Sequence, residues 1–190
     1  MLTKIKNTTR KLIYWFNYKK GNKYILEDGF IMDDTKKYAL LKREKNGLCR
    51  IIALKNFSDV KMGDIGGYVQ NEYNLSHWGN CWIYDNAIVR DKAIVCENAT
   101  ARNNAILSDK SRLYWNSIAK DNAIIKNKSR IYSNAIIKDN AVIQGNTAIR
   151  DFVIVEKFAR VLGNSTVRGN TVVTNNARIH NVKVQAGVVR

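Results

Sequence analysis

Two histidines and three cysteines are the side chains of this sequence best suited to moving protons, attacking carbonyls or holding metals. Their spacing supports none of these tasks. Cys49, Cys81 and Cys96 form neither a metal-spaced pair nor an even set for disulfides, and a reducing cytoplasm is the simplest compartment for them. The run Gly63-Asp64-Ile65-Gly66-Gly67 is rich in glycine but lacks the lysine of a phosphate-binding loop, so it reads as a turn. Nucleophile elbows, dinucleotide-binding glycines and metal-spaced histidine sets are absent from the sequence. No catalytic residue, metal or cofactor is expected, and the chain reads as a non-enzyme.

Arginine, lysine and tyrosine form a second set of candidates. The chain carries 32 Lys+Arg against 16 Asp+Glu, a net charge of +16, which attracts nucleic acid, anionic membranes or acidic protein surfaces. An AT-rich genome also raises lysine, asparagine and isoleucine, so charge alone selects no partner. A hydrophobic content of 45% excludes a disordered chain. No apolar run approaches the roughly 20 residues of a transmembrane helix, and the apolar stretch at residues 12–16 is too short for a signal-peptide core.

A repeat must position these residues. From Ile83 to Arg190 the sequence divides into hexads without insertion, among them IYDNAI, VRDKAI, VCENAT, IKDNAV and VRGNTV. Column one is aliphatic or Ala until Gln185, column five is nearly always Ala, Ser, Thr or Val, and Asn dominates column four. Alternate residues of a strand face opposite sides, so columns five and one point inward while six and two point outward. Columns three and four are turn dipeptides, in which Asn tolerates the left-handed backbone of a sharp corner. Three corners close a triangular coil of 18 residues, and successive coils stack about 4.8 Å apart. Hairpins would instead need turns at intervals of about 8–12 residues. The expected fold class is mainly β: a parallel β-helix of about six coils over residues 77–190, with a small α/β cap from residues 1–76.

The columns resemble the hexapeptide-repeat family, whose members fold as left-handed β-helices and include acyltransferases and some carbonic anhydrases. A narrower resemblance covers roughly residues 50–180. Gly63-Asp64-Ile65-Gly66-Gly67-Tyr68, Asn74-Leu75-Ser76-His77 and Asn80-Cys81-Trp82 resemble the lead-in of YdcK-like β-helix proteins and their phage-borne relatives. The resemblance implies the left-handed form of the fold. It also implies two functional directions: a homo-oligomeric acyltransferase-like enzyme, or a phage-type inhibitor of a host defence nuclease. Acyltransferases of the family generally use a histidine on a loop beside the coils. Here the extruded loops are missing, His77 falls in an inward column, and His180 is an outward residue without an obvious carboxylate partner.

Upstream, residues 37–43 and 48–54 read as two strands joined at Lys45-Asn46-Gly47. They suit a cap over the open top edge of the solenoid, with Gly66-Gly67 turning the chain into the first coil. His77 takes a first-column place with Gly79 and Asn80 at the corner. Residues 1–25 hold seven Lys or Arg and no acid. Residues 11–20 place Leu12, Trp15, Phe16 and Lys19 near one face of a helix, packed on a flank of the solenoid or lying on a membrane surface.

The register then sorts outward residues onto three faces. One carries Ile118, Ile136, Ile154 and Val172 beside Lys120 and Lys138, and the next carries Ile88, Ile106, Ile124 and Val142 with Arg90 and Lys126. Such aliphatic stripes are expected to pack against the N-terminal segment or a second copy in a homo-oligomer, unless they merely serve strand propensity. The third face carries Arg112, Tyr114, Arg130, Tyr132, Arg150 and Arg168, with Lys92, Lys110 and Lys128 along its adjoining corner. Like charges one coil apart repel, so this stack reads as a binding face. It suits phosphates and stacked bases or a nucleic-acid-bound protein. A solvated face partly offset by Asp91 and Asp109 is the alternative. The expectation is a non-catalytic protein that binds an acidic partner, with an acyltransferase-like enzyme or a structural assembly protein as competitors.

Overall fold

The computed structural model describes residues 35–190 in full and, of the segment before them, four short strands. These strands, Lys4–Lys6, Leu12–Trp15, Tyr24–Ile25 and Ile31–Met32, pair in order as an antiparallel meander. Leu12–Trp15 is therefore extended where a helix was expected. Ile13, Tyr14 and Trp15 are β-branched or aromatic, types that favour a strand. Phe16 and Lys19, the rest of that expected face, lie outside the described residues.

From Ile83 to Val173 the chain winds as the expected parallel β-helix. Strands of two or three residues each pair in parallel with the strand one coil on, as in Ile106↔Ile124, Ile118↔Ile136 and Arg112↔Arg130. No loop interrupts the spacing, and sheets of six, seven and nine strands result. Every first-column residue from Ile83 to Val173 is fully buried. Serine and threonine also enter the fifth column, where the Ser111 and Thr147 hydroxyls are buried without a hydrogen-bond partner among the described residues and four others find a backbone acceptor. Ser117, Ser129, Ser165 and Thr171 each donate to the carbonyl three residues earlier, at 2.6–2.7 Å. No helix of the described residues is long and apolar enough to cross a membrane.

The corners divide their labour differently from the expectation. The left-handed residue is the third-column one: Asp85, Asp91, Asp109, Asp121, Asp139 and Asp151 all have φ between 55° and 65°. Each short carboxylate can also cap the next coil. Asp91 Oδ2 accepts the Asp109 backbone N–H at 3.1 Å, and Asp109 Oδ2 accepts that of Asn127 at 2.9 Å. Asparagine in column four serves instead an amide ladder, with Asn104 donating to Asn122 and Asn122 to Asn140, both at 3.2 Å.

Strands Tyr38–Leu40, Cys49–Ala53 and Ile65–Val69 form an antiparallel cap. Ile65–Val69 also pairs in parallel with Ile88–Val89, which makes the cap and one solenoid face a single sheet. Among the described residues the cap is all β apart from a 3-10 turn at Glu72–Asn74, not α/β. Gly66-Gly67 is not the expected turn but part of a strand. Gly66 lies so close to the first coil that a Cβ there would sit 2.6 Å from the Ile83 carbonyl oxygen.

Both ends depart from the hexad rule. Val69 pairs with Val89 and Leu75 bridges Val95, so the first coil is two residues longer than those below it, where Trp82 pairs with Thr100. Leu75, 1% exposed, fills the inward place expected for His77. The aliphatic side chain takes the dry bore and the imidazole is left at the cap. In the last coil Lys183 pairs with Thr166 and Gly187 with Thr171, a corner shortened by one residue each time. One residue of slip reverses which side chains face inward, so Val184 packs against the core where the unshifted hexads put Lys183 and Gln185; at the second shortening the parity returns and Val189 stays inward.

Candidate binding face

The ladder places Arg112 beside Arg130 and Arg130 beside Ala148. A second row runs parallel to it. Backbone bonds from Tyr114 to Ile131, from Tyr132 to Ile149 and from Arg150 to Val167 keep Tyr114, Tyr132, Arg150 and Arg168 one above another. Lys92, Lys110 and Lys128 are exposed along the adjoining corner, held in line by the bonds from Lys92 to Asp109 and from Lys110 to Asn127.

The cations of this face are unpaired among the described residues. The ion pairs among the described residues are Lys36–Glu72, His77–Glu72, Arg90–Asp91, Arg102–Asp59 and Lys138–Glu156, and none involves it. Asp91 and Asp109 lie at the foot of the lysine ridge, where they accept backbone amides and offset part of its charge without forming an ion pair with any of its lysines. Arg112 Nη1 donates to Tyr114 Oη at 3.0 Å and Arg168 Nη2 to Gln185 Oε1 at 2.7 Å. Neither contact cancels charge. Arg150 Nε is buried with no hydrogen-bond partner among the described residues. Unit charges 4 Å apart repel by about 1 kcal/mol even in bulk water, so a stack of cations one coil apart works against folding.

Between the rows lies a groove of about 480 Å³ lined by Glu97, Tyr114, Trp115, Arg130, Tyr132 and Ala148. The Trp115 and Tyr132 rings meet edge to face, 5.8 Å apart and 75° between planes. Glu97 Oε2 accepts the Trp115 backbone N–H at 2.5 Å and pins that corner. Trp115, Glu97 and Ala148 do not stand out in the sequence as members of a site. Trp115 carries the one available signal, being the aromatic residue in a column that is mostly Asp, Asn and Gly.

The two aliphatic stripes occur as the register required. Ile118, Ile136, Ile154 and Val172 are half-buried by stacking on one another, as are Ile88, Ile106, Ile124 and Val142. On the first of these faces Lys138 and Glu156 pair at 2.8 Å, which holds the Glu156 carboxyl below its usual pKa and the Lys138 amine above. Phe152 and Phe158, 63% and 60% exposed, stand at its two edges.

Beneath the cap, His77 is committed at both ring nitrogens. Nδ1 accepts the Lys37 backbone N–H at 3.2 Å, and Nε2 faces Glu72 Oε1 at 3.0 Å. Burial holds the imidazole below its ordinary pKa, which assigns a neutral ring with the proton on Nε2. Burial opposes the Glu72 carboxylate too, but hydrogen bonds from Lys36 and His77 outweigh it and lower its pKa. His77 fastens the cap to the first coil and presents no free base. His180 is exposed, beside Gly163, with no carboxylate in ion-pair range among the described residues. The glycine-rich run is the expected turn at Gly63 (φ 92°). There, Asp64 Oδ2 accepts the Lys61 N–H at 2.8 Å. Among the described residues no group of three or more His, Cys, Asp or Glu side chains could hold a metal ion.

No family model matches the chain. Over 67 residues, 35% of its length, the chain is 43% identical to the "Uncharacterized acetyltransferase YdcK" of Escherichia coli (strain K12). That stretch covers 18% of the relative, so most of the bacterial protein has no counterpart in the match. The likeness agrees with a hexapeptide-repeat β-helix.

Proposed function

We propose that this protein is a non-catalytic binding protein whose arginine face engages nucleic acid, free or held by another protein. One observation carries the reading: among the described residues the cations of this face have no carboxylate partner in ion-pair range, while an aromatic groove opens among them. A face that costs folding energy and is not neutralised from within fits a polyanion from without. Occupying the nucleic-acid channel of a nuclease would use the same surface, which is the inhibitor version of the reading. The three free thiols fit a reducing cytoplasm.

Fluorescence anisotropy with labelled oligonucleotides tests the face. Arg112→Ala, Arg130→Ala and Lys128→Ala together are expected to weaken binding at least about tenfold, and Arg90→Ala with Lys126→Ala to change it little. Affinity should fall steeply between about 50 and 200 mM salt, with a slope on logarithmic axes of about 0.7 per phosphate held. Equal losses from the two sets, or no binding by the wild type, would sink the reading. Acetyl transfer from acetyl-coenzyme A that depends on His180 would favour the second reading, an acyltransferase, which the likeness to the YdcK acetyltransferase supports.

We also propose that a second copy packs on the face of Ile118, Ile136, Ile154 and Val172. Lys138 and Glu156 pair there and leave Lys120 as the face's unpaired lysine among the described residues, so two copies can meet at lower cost than two arginine faces, which would repel. Sedimentation equilibrium should show self-association in the wild type and a folded monomer for Ile136→Lys. A wild type that stays monomeric throughout a micromolar series would end this proposal.

A further inference from the structure

We infer that the groove beside Trp115 seats one unpaired base of a single-stranded nucleic acid, so that the face distinguishes single strands from duplexes. The inference rests on the nucleic-acid reading of the face and goes further, because it assigns separate tasks to charge and to shape.

Trp115 gives the first reason. It sits at φ 55°, in the left-handed region that suits Asp, Asn and Gly and disfavours a bulky side chain. The same column holds Asp or Asn at most other corners, where the short side chain can cap the next coil. Tryptophan forgoes that bond, accepts the strained backbone and leaves its ring 51% exposed. Folding gains only the edge contact with Tyr132 in return, and local departures from an otherwise consistent pattern concentrate at functional sites.

Ala148 gives the second. The outward row that begins with Arg112 and Arg130 continues to Ala148. A methyl group stands there where the two preceding coils place a guanidinium. That missing bulk forms part of the wall of the groove, whose volume lies in the range of about 300–1,000 Å³ typical of small-ligand clefts. The Trp115 and Tyr132 rings, held at 75° to one another, offer an inserted ring both a face and an edge. Arg130 lines the same groove and has planar donors suited to a base edge or a phosphate. Glu97 also lines it and keeps one carboxylate oxygen beyond the Trp115 bond, an acceptor for a base amino group and a repellent for phosphate. A purely phosphate-binding surface would gain nothing from that carboxylate. A duplex keeps its bases stacked inside and cannot fill such a groove; a single strand can turn one outward.

Charge and shape make opposite demands on Ala148→Arg. If phosphates alone are held, a third arginine in the row tightens binding. If a base enters the groove, the new side chain blocks it. The variant is expected to bind a short mixed-sequence single strand at least about fivefold more weakly, the lower bound for losing one base–aromatic contact. Binding to the matching duplex should be unchanged or tighter. Large outward residues occupy this column in most coils, so the side chain fits, and urea unfolding of the variant checks that the added charge beside Arg130 leaves it folded. Trp115→Asn supplies the second arm. It restores the residue type suited to the corner, so its melting temperature should equal or exceed that of the wild type while single-strand affinity drops by a similar factor. Tighter single-strand binding by Ala148→Arg would overturn the groove and leave the basic face standing. A wild type that binds no oligonucleotide at low salt would overturn both.

Discussion

Gly66→Ala is expected to lower the free energy of unfolding by about 3 kcal/mol, against about 1 kcal/mol for Gly63→Ala. The two glycines stand three positions apart in one run, and an added methyl group meets different surroundings at each. At Gly63 the backbone is left-handed, at φ 92°, but nothing lies within 4 Å of a Cβ; the cost there is conformational alone. At Gly66 a Cβ would come within 2.6 Å of the Ile83 carbonyl oxygen, 2.7 Å of Ile51 Cγ1 and 2.7 Å of Trp82 Cζ2. None of these can swing aside. Trp82 is itself wedged edge-on against Tyr38 and Phe57, with centroids 6.3 and 5.4 Å away. Relief requires the cap strand to lift from the first coil, which exposes the top of the bore. For a fold whose whole stability is of order 5–15 kcal/mol, that is a large share. Urea unfolding of both variants gives the comparison. Equal costs would mean that the cap does not press on the coil as described.

That contrast shows where the sequence was readable. A period of six with small and aliphatic columns has one solution for its interior, so the solenoid, its three faces and the line-up of Arg112 with Arg130 followed from spacing. Where a run offers two phases, spacing does not choose between them. Leu75 and His77 are both placed to point inward one hexad or so above Cys81, and only the burial of the leucine decides which does. Gly66-Gly67 looks like a turn because glycine permits one, yet the same residue type also permits two backbones to touch. The basic face was legible as a row of charges. Its groove was not, because a groove is made by what is small, at Ala148, and by one tryptophan among corner residues. The stripes were legible as apolar, but their half-buried state comes from stacking of isoleucine on isoleucine, which the outward direction of each residue does not by itself reveal.

Lys37 is the residue the sequence hid most completely, since a lysine at a strand edge reads as surface. It is 1% exposed, plugging the first coil with Nζ donating to the carbonyls of Gly79 and Cys81 at 3.1 and 2.8 Å and to Cys81 Sγ at 3.2 Å. The Phe57 ring lies 4.9 Å from the ammonium. Lys37→Met keeps most of the volume and removes every donor, so it is expected to cost about 2–4 kcal/mol for carbonyls left unmet in a dry site. The pH dependence carries a second signature. Burial pushes the Lys37 pKa below 10.5, so the folded protein releases this proton before the unfolded chain does. The group therefore opposes folding while it is charged, and the opposition is relieved as pH rises through the folded value towards 10.5. Methionine has no such relief. Cys81 acts the other way in both proteins: burial raises its thiol pKa above 9.0, and the charge and hydrogen bond of Lys37 restrain that rise. Without Lys37 the thiol pKa climbs further, and alkaline pH costs the variant more stability. Both effects have the same sign, so the stability gap between wild type and Lys37→Met should widen from about pH 8 upward. Urea titrations across that range measure it. A gap that stays constant, or a variant more stable than the wild type at neutral pH, would mean the buried ammonium does not hold the carbonyls of the first coil.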